Sequence, residues 1–569
     1  MRLGELLIMH GLITELQLDE ALKLQVSSKK KLGEILIELG YLTERQLVEV
    51  LEFQLGFPAV NLFETVMDLG AVQSITEALA KKHCVIPIKR RNGKLVVAMA
   101  DPLNYEAIEE IRLATGMSVQ PTIATRSEIE QGIMKHYGMQ ESVEEVMEDM
   151  DGIEYSDAEE EAQNQSSPIV KLVNQIIQAA VQQRASDIHF DPQEKQILIR
   201  YRIDGVLQTE KTLSKNMQGV LTARLKIIAK LNIAERRLPQ DGRIQMQIDG
   251  RKIDIRVSTL PSVHGESIVL RLLDQSSGIK KISDLGLSET NFHKFAKMIR
   301  KPNGIILISG PTGSGKTSTL YSALHELNDK EVKIITIEDP VEYRLDGITQ
   351  VQVHAQVGLT FSSGLRSILR QDPNIVMVGE MRDTETAEIA VRASLTGHLV
   401  LSTIHTNSAV STISRLIDMG IDSYLIASSL NCVVAQRLVR RLCPECCHTV
   451  EAGEDERRLF AAYGLLKRES DGESAGQVRT MAETQLFVKR TRGCSHCNKT
   501  GYKGRIALHE VLVIDETLRR LIAQNLPVDE LTAHAKKAGF QTMMQDGLQK
   551  ALAGKTSVEE VLKAVSDDE

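Results

Sequence analysis

The sequence predicts a multi-domain α/β protein whose second half is built on a mainly parallel sheet. Three features carry that expectation. At 569 residues the chain is too long for one hydrophobic core, and about three to five domains is the natural expectation. From about residue 285 onward, apolar strands each run into turn residues and then helix. The chain also opens on "RLGELLIMHGLITELQLDEALKLQ" and repeats it 29 residues later as "KLGEILIELGYLTERQLVEVLEFQ", so a small helical unit is duplicated.

The duplicated unit fills residues 1–54. In each copy an apolar-periodic helix ends at a Gly (Gly11, Gly40), and a second helix starts at a Thr with Gln three residues later. Thr14/Gln17 and Thr43/Gln46 are capping-box patterns, in which each side chain satisfies an orphan N–H of the other. Residues 60–140 read as a mixed α/β unit with "KLVVAMADP" as its clearest strand. Residues 141–167 hold eleven acidic residues and no Lys or Arg. That composition reads as a flexible acidic linker spanning roughly 30 Å or more, since like charges extend a coil; a solvated helix face is the alternative. Residues 168–275 alternate helix ("VKLVNQIIQAAVQQRA") with strands ("QILIRYRIDG", "RKIDIRVSTL", "SIVLRLL"), a compact α+β domain.

Composition narrows the function classes. Apolar content of 42% and charged content of 25% are ordinary for globular protein. No apolar run approaches the roughly 20 residues of a membrane span, and polar residues interrupt any signal-peptide pattern, so a cytoplasmic protein is expected. Net charge is −8, but the remainder of the chain without 141–167 carries +3. Near-neutral folded parts speak against a protein that coats nucleic acid.

The second half carries the chemistry. "GIILISGPTGSGKTSTLYSAL" is a buried strand, a Gly-rich loop and a helix. Gly310, Gly315, Lys316 and Thr317 satisfy the phosphate-loop pattern, and Pro311, Thr312, Gly313, Ser314 and Ser318 complete the stretch. Glycines let backbone N–H groups curl around phosphates, Lys316 reaches the β/γ-phosphates, and Thr317 offers its hydroxyl to Mg²⁺. Acidic residues then recur at strand ends: Glu338, Asp339 and Glu342 in "KIITIEDPVEY", and Glu380 in "NIVMVGEMRD". Glu380 stands where an ATPase's metal-linked carboxylate belongs, although the strand ends in Gly-Glu instead of Asp. "TGHLVLSTIHTN" sets His398 and His405 on either side of a further strand. Singly, each is equally readable as a surface carboxylate or a satisfied histidine. Together, at the ligand-binding edge of a parallel sheet, they read as one site.

The order phosphate loop, "ITIEDPVE", "RQDPNIVMVGEMRD", "TGHLVLSTIHTN" resembles the secretion ATPase superfamily, and more closely the assembly ATPases of type IV pili and type II secretion systems. The resemblance covers the chain from about 165, and with the repeats it reaches residue 1. It implies a RecA-like motor domain over 276–569, preceded by a PAS-like α+β domain over 168–275 that packs on a neighbouring motor domain in a homohexamer. It further implies Glu342 as the base for the attacking water, Glu338 and Asp339 in the same acidic box, and Glu380 acting through Mg²⁺. His398 and His405 would stand near the γ-phosphate, and Arg256 and Arg271 would swing toward it. Pairing of those arginines with carboxylates of their own domain is the structural alternative.

Seven cysteines in a cytoplasmic chain are not expected to cross-link. Cys443-x₂-Cys446 and Cys494-x₂-Cys497 form two knuckles whose separation exceeds that of compact zinc ribbons, so spacing alone is only suggestive. Their surroundings, "CPEC" and "CSHC…TGYKGR", resemble the tetracysteine insertion (443–497) of assembly ATPases, which implies a closed structural Zn²⁺ site. Cys447 and His448 are competing neighbours, and Cys84 and Cys432 read as small buried apolar residues.

The opening repeats could be a helix-turn-helix, but their second helices are acidic and apolar where a DNA reader should be basic. A plain docking module is a further reading. The pair also resembles the cyclic di-GMP receptor domain of some pilus and secretion ATPases, here residues 1–140, with motifs at 2–25 and 31–54. That resemblance implies ligand contacts from Arg2, Leu3, Gly4, Leu18, Leu22 and Gln25, from Leu32, Gly33, Leu47, Leu51 and Gln54, and from Asp101. Lys31 departs from the motif's Arg, keeping the charge but losing bidentate geometry. The whole reads as a hexameric, Mg²⁺-dependent ATPase at the cytoplasmic face of the inner membrane, docked on platform proteins, with cyclic di-GMP as regulator and no nucleic-acid partner. A DNA-translocating or unwinding ATPase is the alternative; a retraction motor of the same superfamily usually lacks both the N-terminal extension and the zinc insertion.

Overall fold

The computed structural model describes residues 3–27, 31–137 (except 63, 64, 66 and 92), 167–274, 278–465 and 486–565. Arg2 and the expected acidic linker lie outside the described residues, apart from Ser167. The chain divides into two compact units, with the break between Asp274 and Gln275.

In the first unit the duplicated sequence folds as two helix pairs, Leu3–Met9 with Glu15–Ser27 and Leu32–Glu38 with Glu44–Leu55. The capping boxes form as expected: Thr43 N donates to Gln46 Oε1 at 3.0 Å while Gln46 N donates to Thr43 Oγ1 at 3.3 Å. Thr14 and Gln17 repeat the exchange. Gly4 and Gly33 are small because the partner helix lies against them; a Cβ would come within 2.7 Å of Leu18 or Leu47. Leu6, Leu7, Ile35 and Leu36 form the shared core. The three strands that follow, β1 (Val85–Arg91), β2 (Lys94–Met99) and β3 (Ser118–Ile123), pair in that order, antiparallel and then parallel.

Residues 167–274 begin with helix Pro168–Gln182, capped by Ser167 and burying Ile169, Leu172, Val173, Ile176 and Ile177. That apolar stripe covers a six-stranded, wholly antiparallel sheet of β4 (Asp187–Pro192), β5 (Gln196–Ile203), β6 (Val206–Ser214), β7 (Gln240–Ile248), β8 (Arg251–Ser262) and β9 (Gly265–Asp274). The strand order is β6-β5-β4-β9-β8-β7. Sequence reading found β5, β8 and β9 but missed β4, β6 and β7. β6 and β7 have many exposed positions, as expected for antiparallel strands with a solvated face, and their polar residues mute the apolar signal.

The second unit is organised by a seven-stranded sheet. Its strands are β10 (Gly304–Ser309), β11 (Ile334–Glu338), β12 (Thr349–Gln352), β13 (Ile375–Val378), β14 (Leu399–Ile404), β15 (Leu430–Leu442) and, after the hairpin β16 (Cys447–Glu451) and β17 (Phe487–Thr491), β18 (Tyr502–Val513). The order is β12-β11-β13-β14-β10-β15-β18, parallel throughout except for β18, which runs antiparallel to β15. All six residues of β10 are buried, as a central strand covered on both faces requires. Because β10, β11, β13 and β14 run the same way, their C-terminal ends open onto one edge.

Candidate nucleotide site and cysteine cluster

The Gly-rich loop leaves β10 at Ser309 and enters helix Lys316–Leu327. Gly310, Gly313 and Gly315 sit at φ +144°, +79° and +91°, conformations that L side chains rarely adopt. At Gly310 an added Cβ would also lie 2.4 Å from the carbonyl oxygen of Gln436 on β15. Lys316 Nζ donates to the carbonyls of Gly310 at 2.7 Å and Pro311 at 3.0 Å, and burial holds its pKa below the usual lysine range while Glu380 opposes that shift. The hydroxyls of Ser309 and Ser314 are buried without a protein partner, donors suited to a phosphate oxygen. Thr317 is exposed on the helix's first turn, at its positive end.

Glu380 follows β13 and is largely buried. Arg382 donates to it at 2.7 Å, and His405, just past β14, approaches it with Nε2 at 3.7 Å. Burial, together with the nearby Lys316 charge, lowers the His405 pKa, so its imidazole is neutral at neutral pH. Lys316, Glu380 and His405 therefore form one electrostatic cluster at the strand ends.

In this unit His398 and Glu338, both expected members, are engaged elsewhere. His398 precedes β14 and stands at the opposite end of that strand from His405, about 20 Å away at the strand rise of ~3.3 Å per residue. Its Nδ1 lies 2.9 Å from the carbonyl of Ala393, so it caps the end of helix Thr384–Leu395. Glu338 does lie at a strand end, but its carboxylate is buried and both of its oxygens are engaged. Thr336 Oγ1 (2.7 Å), Gln350 Nε2 (3.1 Å) and the Tyr321 hydroxyl all donate to it. The same Tyr321 oxygen accepts from Glu342 N at 3.3 Å. Glu338 thus acts as a support beneath the segment bearing exposed Asp339 and half-buried Glu342. Sequence reading missed Tyr321, Arg382 and Gln436. Tyr321 is one helical turn beyond Thr317, Arg382 neighbours Glu380 in "GEMRD", and Gln436 is the polar residue that ends the apolar run 432–435.

In the first unit Arg271 and Arg256 are cross-strand neighbours on β9 and β8. Arg271 Nε donates to Asp187 at 3.0 Å, the carboxylate pairing weighed as the structural alternative. Of the expected dinucleotide ligands, Asp101 forms an ion pair with Lys31, the residue that departs from the motif's Arg. Leu18 and Leu47 are partly buried against the helix-packing glycines, whereas Leu22 is exposed. Leu3, Gln25, Leu32, Leu51 and Gln54 are partly buried, and Gly4 and Gly33 are buried.

The sulfurs of Cys443, Cys446, Cys494 and Cys497 all lie within 4.8 Å of one another, with Cys446 and Cys497 at 3.9 Å. Zn–S bonds of ~2.3 Å in a tetrahedron separate sulfurs by about 3.8 Å, so the donor set fits zinc. Gly501 N donates to Cys497 Sγ at 3.1 Å, a contact that favours a thiolate. Cys447 and His448 are outside the cluster. Cys84 and Cys432 are buried as expected, and burial pushes the Cys432 thiol up to about 12.

Residues 162–563 match the family described as "Type II/IV secretion system protein". The chain belongs to that family. As a member it is an ATP hydrolase, of the type II secretion and type IV pilus assembly ATPase group. Within the group the chain is 41% identical to the "Type IV pilus assembly ATPase PilB" of Myxococcus xanthus, covering 100% of this chain and 99% of the relative. It is 44% identical to the "Type II secretion system protein E" of Xanthomonas campestris, covering 90% and 89%. The "X-ray structure of the Legionella pneumophila ATPase DotB" has the same fold over 69% of this chain and 95% of that one, at 23% identity and a TM-score of 0.50. Residues 55–143 match the "MshEN domain", a match that begins just after the duplicated helices. Among the described residues no helix is long and apolar enough to cross a membrane.

Proposed function

We propose that this chain is a Mg²⁺-dependent, homohexameric motor that drives assembly of pilus or secretion-pseudopilus subunits from the cytoplasmic face of the inner membrane, under control of cyclic di-GMP. The observation that carries the motor reading is the convergence of Lys316, Glu380 and His405 beside the glycine loop. Thr317 and Glu380 would hold Mg²⁺, which supplies charge neutralisation at the β- and γ-phosphates. The loop N–H groups and Lys316 bind and orient the phosphates. Glu342 orients the attacking water and takes its proton, on a segment tethered to the nucleotide-loop helix through Tyr321. His405, held neutral, adds a hydrogen bond without a competing charge.

In the family's ring, Arg256 and Arg271 would meet a neighbouring subunit's nucleotide. The PAS-like domain would span 168–275 and the RecA-like motor with its zinc insertion 276–569. Residues 1–140 would form the dinucleotide receptor, joined through the acidic linker 141–167. The similarity to the MshEN domain and the paired Lys31 and Asp101 support that receptor reading.

Two measurements test the proposal. Glu342→Gln in the full chain should bind Mg-ATP normally and hydrolyse it at least a hundredfold more slowly; hydrolysis at the wild-type rate removes Glu342 as base. Calorimetric titration with cyclic di-GMP, beside an Arg2→Ala control, should show binding that the control loses. Absence of binding leaves the motor reading standing and makes the repeats a docking module.

A further inference from the structure

We infer that Gln436 is a positioning residue for the nucleotide: from β15 it holds the glycine loop in its phosphate-binding shape. β15 pairs with β10 as far as Ser309 opposite Ala435, and Gln436 is the next residue, where the loop departs. Its side chain is buried at 1% exposure, directly after the buried apolar run 432–435 of the strand. Both ends of the amide are spent on the loop and its helix. Nε2 donates to the carbonyl of Ser314 at 2.7 Å, and Oε1 accepts from Thr319 Oγ1 at 2.7 Å.

The carbonyl contact has a direct consequence for ligand binding. In a trans peptide the C=O and the following N–H point in opposite directions. Drawing the Ser314 carbonyl toward Gln436 therefore turns the Gly315 N–H the other way, into the loop where phosphates are cradled. The backbone of the same residue closes the other side, since its oxygen leaves no room for a Cβ at Gly310. Gly315 is confined similarly, with a Cβ there falling 3.1 Å from Nε2. The Ser314 carbonyl can only accept, which fixes the amide with Nε2 toward the loop and Oε1 toward the Thr319 hydroxyl, one turn into the helix. One side chain thus sets the direction of an anion-binding N–H and ties the loop to the helix behind it.

The test uses the full chain with Gln436→Leu, Gln436→Glu, Thr319→Val and Thr319→Ser, measuring affinity for Mg-ADP and a non-hydrolysable ATP analogue, with kcat and KM. Gln436→Leu should weaken nucleotide binding about tenfold and raise KM more than it lowers kcat. Thr319→Val should lose several-fold alone but add less than twofold to Gln436→Leu, and Thr319→Ser should bind like wild type. Gln436→Glu should bind weakly as a carboxylate and regain affinity on acidification, when a protonated carboxyl again donates to Ser314. If Gln436→Leu does not fold, that acid rescue and the Thr319 pair decide the matter. Affinities within twofold of wild type for Gln436→Glu at every pH and for Thr319→Val overturn the inference.

Discussion

Tyr321 donates its hydroxyl to Glu338 while accepting from the backbone of Glu342, so one phenol joins the nucleotide-loop helix, the end of β11 and the segment of the proposed base. Burial and the Glu338 carboxylate raise its pKa above the ordinary tyrosine value, so the phenol stays a donor. Phe at 321 would keep the ring against Tyr343 and remove both hydrogen bonds. Tyr321→Phe should lower kcat roughly fivefold to tenfold with little change in KM, and cost about 1 kcal/mol of stability. Steady-state kinetics and a thermal melt check it; an unchanged kcat would show that Glu342 is oriented by other contacts.

Gly310 is predicted to be irreplaceable for a backbone reason. The obstacle to a Cβ is the Gln436 carbonyl at 2.4 Å, held in the β15–β18 ladder, so relief by a side-chain rotation is unavailable. Gly310→Ala should leave the fold intact, lose nucleotide binding by more than tenfold, and do so without changing the metal content. Equilibrium binding of a fluorescent nucleotide measures this directly.

The cysteine cluster predicts about one zinc per chain in metal analysis of purified protein. Cys443→Ser should abolish it and lower the melting temperature, since a structural site contributes its binding energy to folding. A zinc-free protein of wild-type stability contradicts the assignment.

His509 supplies a pH prediction. It is fully buried on β18 with both ring nitrogens unpaired, and desolvation, reinforced by Lys550, holds its pKa well below the ordinary value. The unfolded chain takes up a proton near pH 6.5 that the folded chain refuses, so this residue removes stability as pH falls below about 6.5. The loss approaches about 1.4 kcal/mol per pH unit until the folded pKa is reached. Burial raises the pKa of neighbouring Asp546 and lowers that of Lys550, so the comparison is with His509→Gln, which carries the same neighbours. The wild-type advantage in melting temperature over that variant should narrow from pH 7 to pH 5; a constant gap would mean that the imidazole finds a proton inside.

Local rules were legible in the chain itself. Capping boxes, the glycine loop and the strand–turn–helix rhythm depend on residues within a few positions of one another, so Thr43/Gln46, Gly310–Thr317 and the buried β10 could all be read before any fold was known. The four cysteines were legible as two knuckles, whereas their meeting depends on the β16–β17 hairpin bringing together residues about fifty positions apart. Sequence order was misleading where strand direction mattered. His398 and His405 flank the same six-residue strand, and only the parallel register with β10 decides that His405 faces the glycine loop and His398 the far edge. Glu338 looked equivalent to its acidic neighbours until Tyr321, Thr336 and Gln350 closed around it. Sequence by itself determined which residues could do phosphate chemistry, because that rests on functional groups and short-range backbone geometry. Tertiary structure alone decided which of them are free to do it, because burial and hydrogen-bond saturation are set by partners far away in the chain.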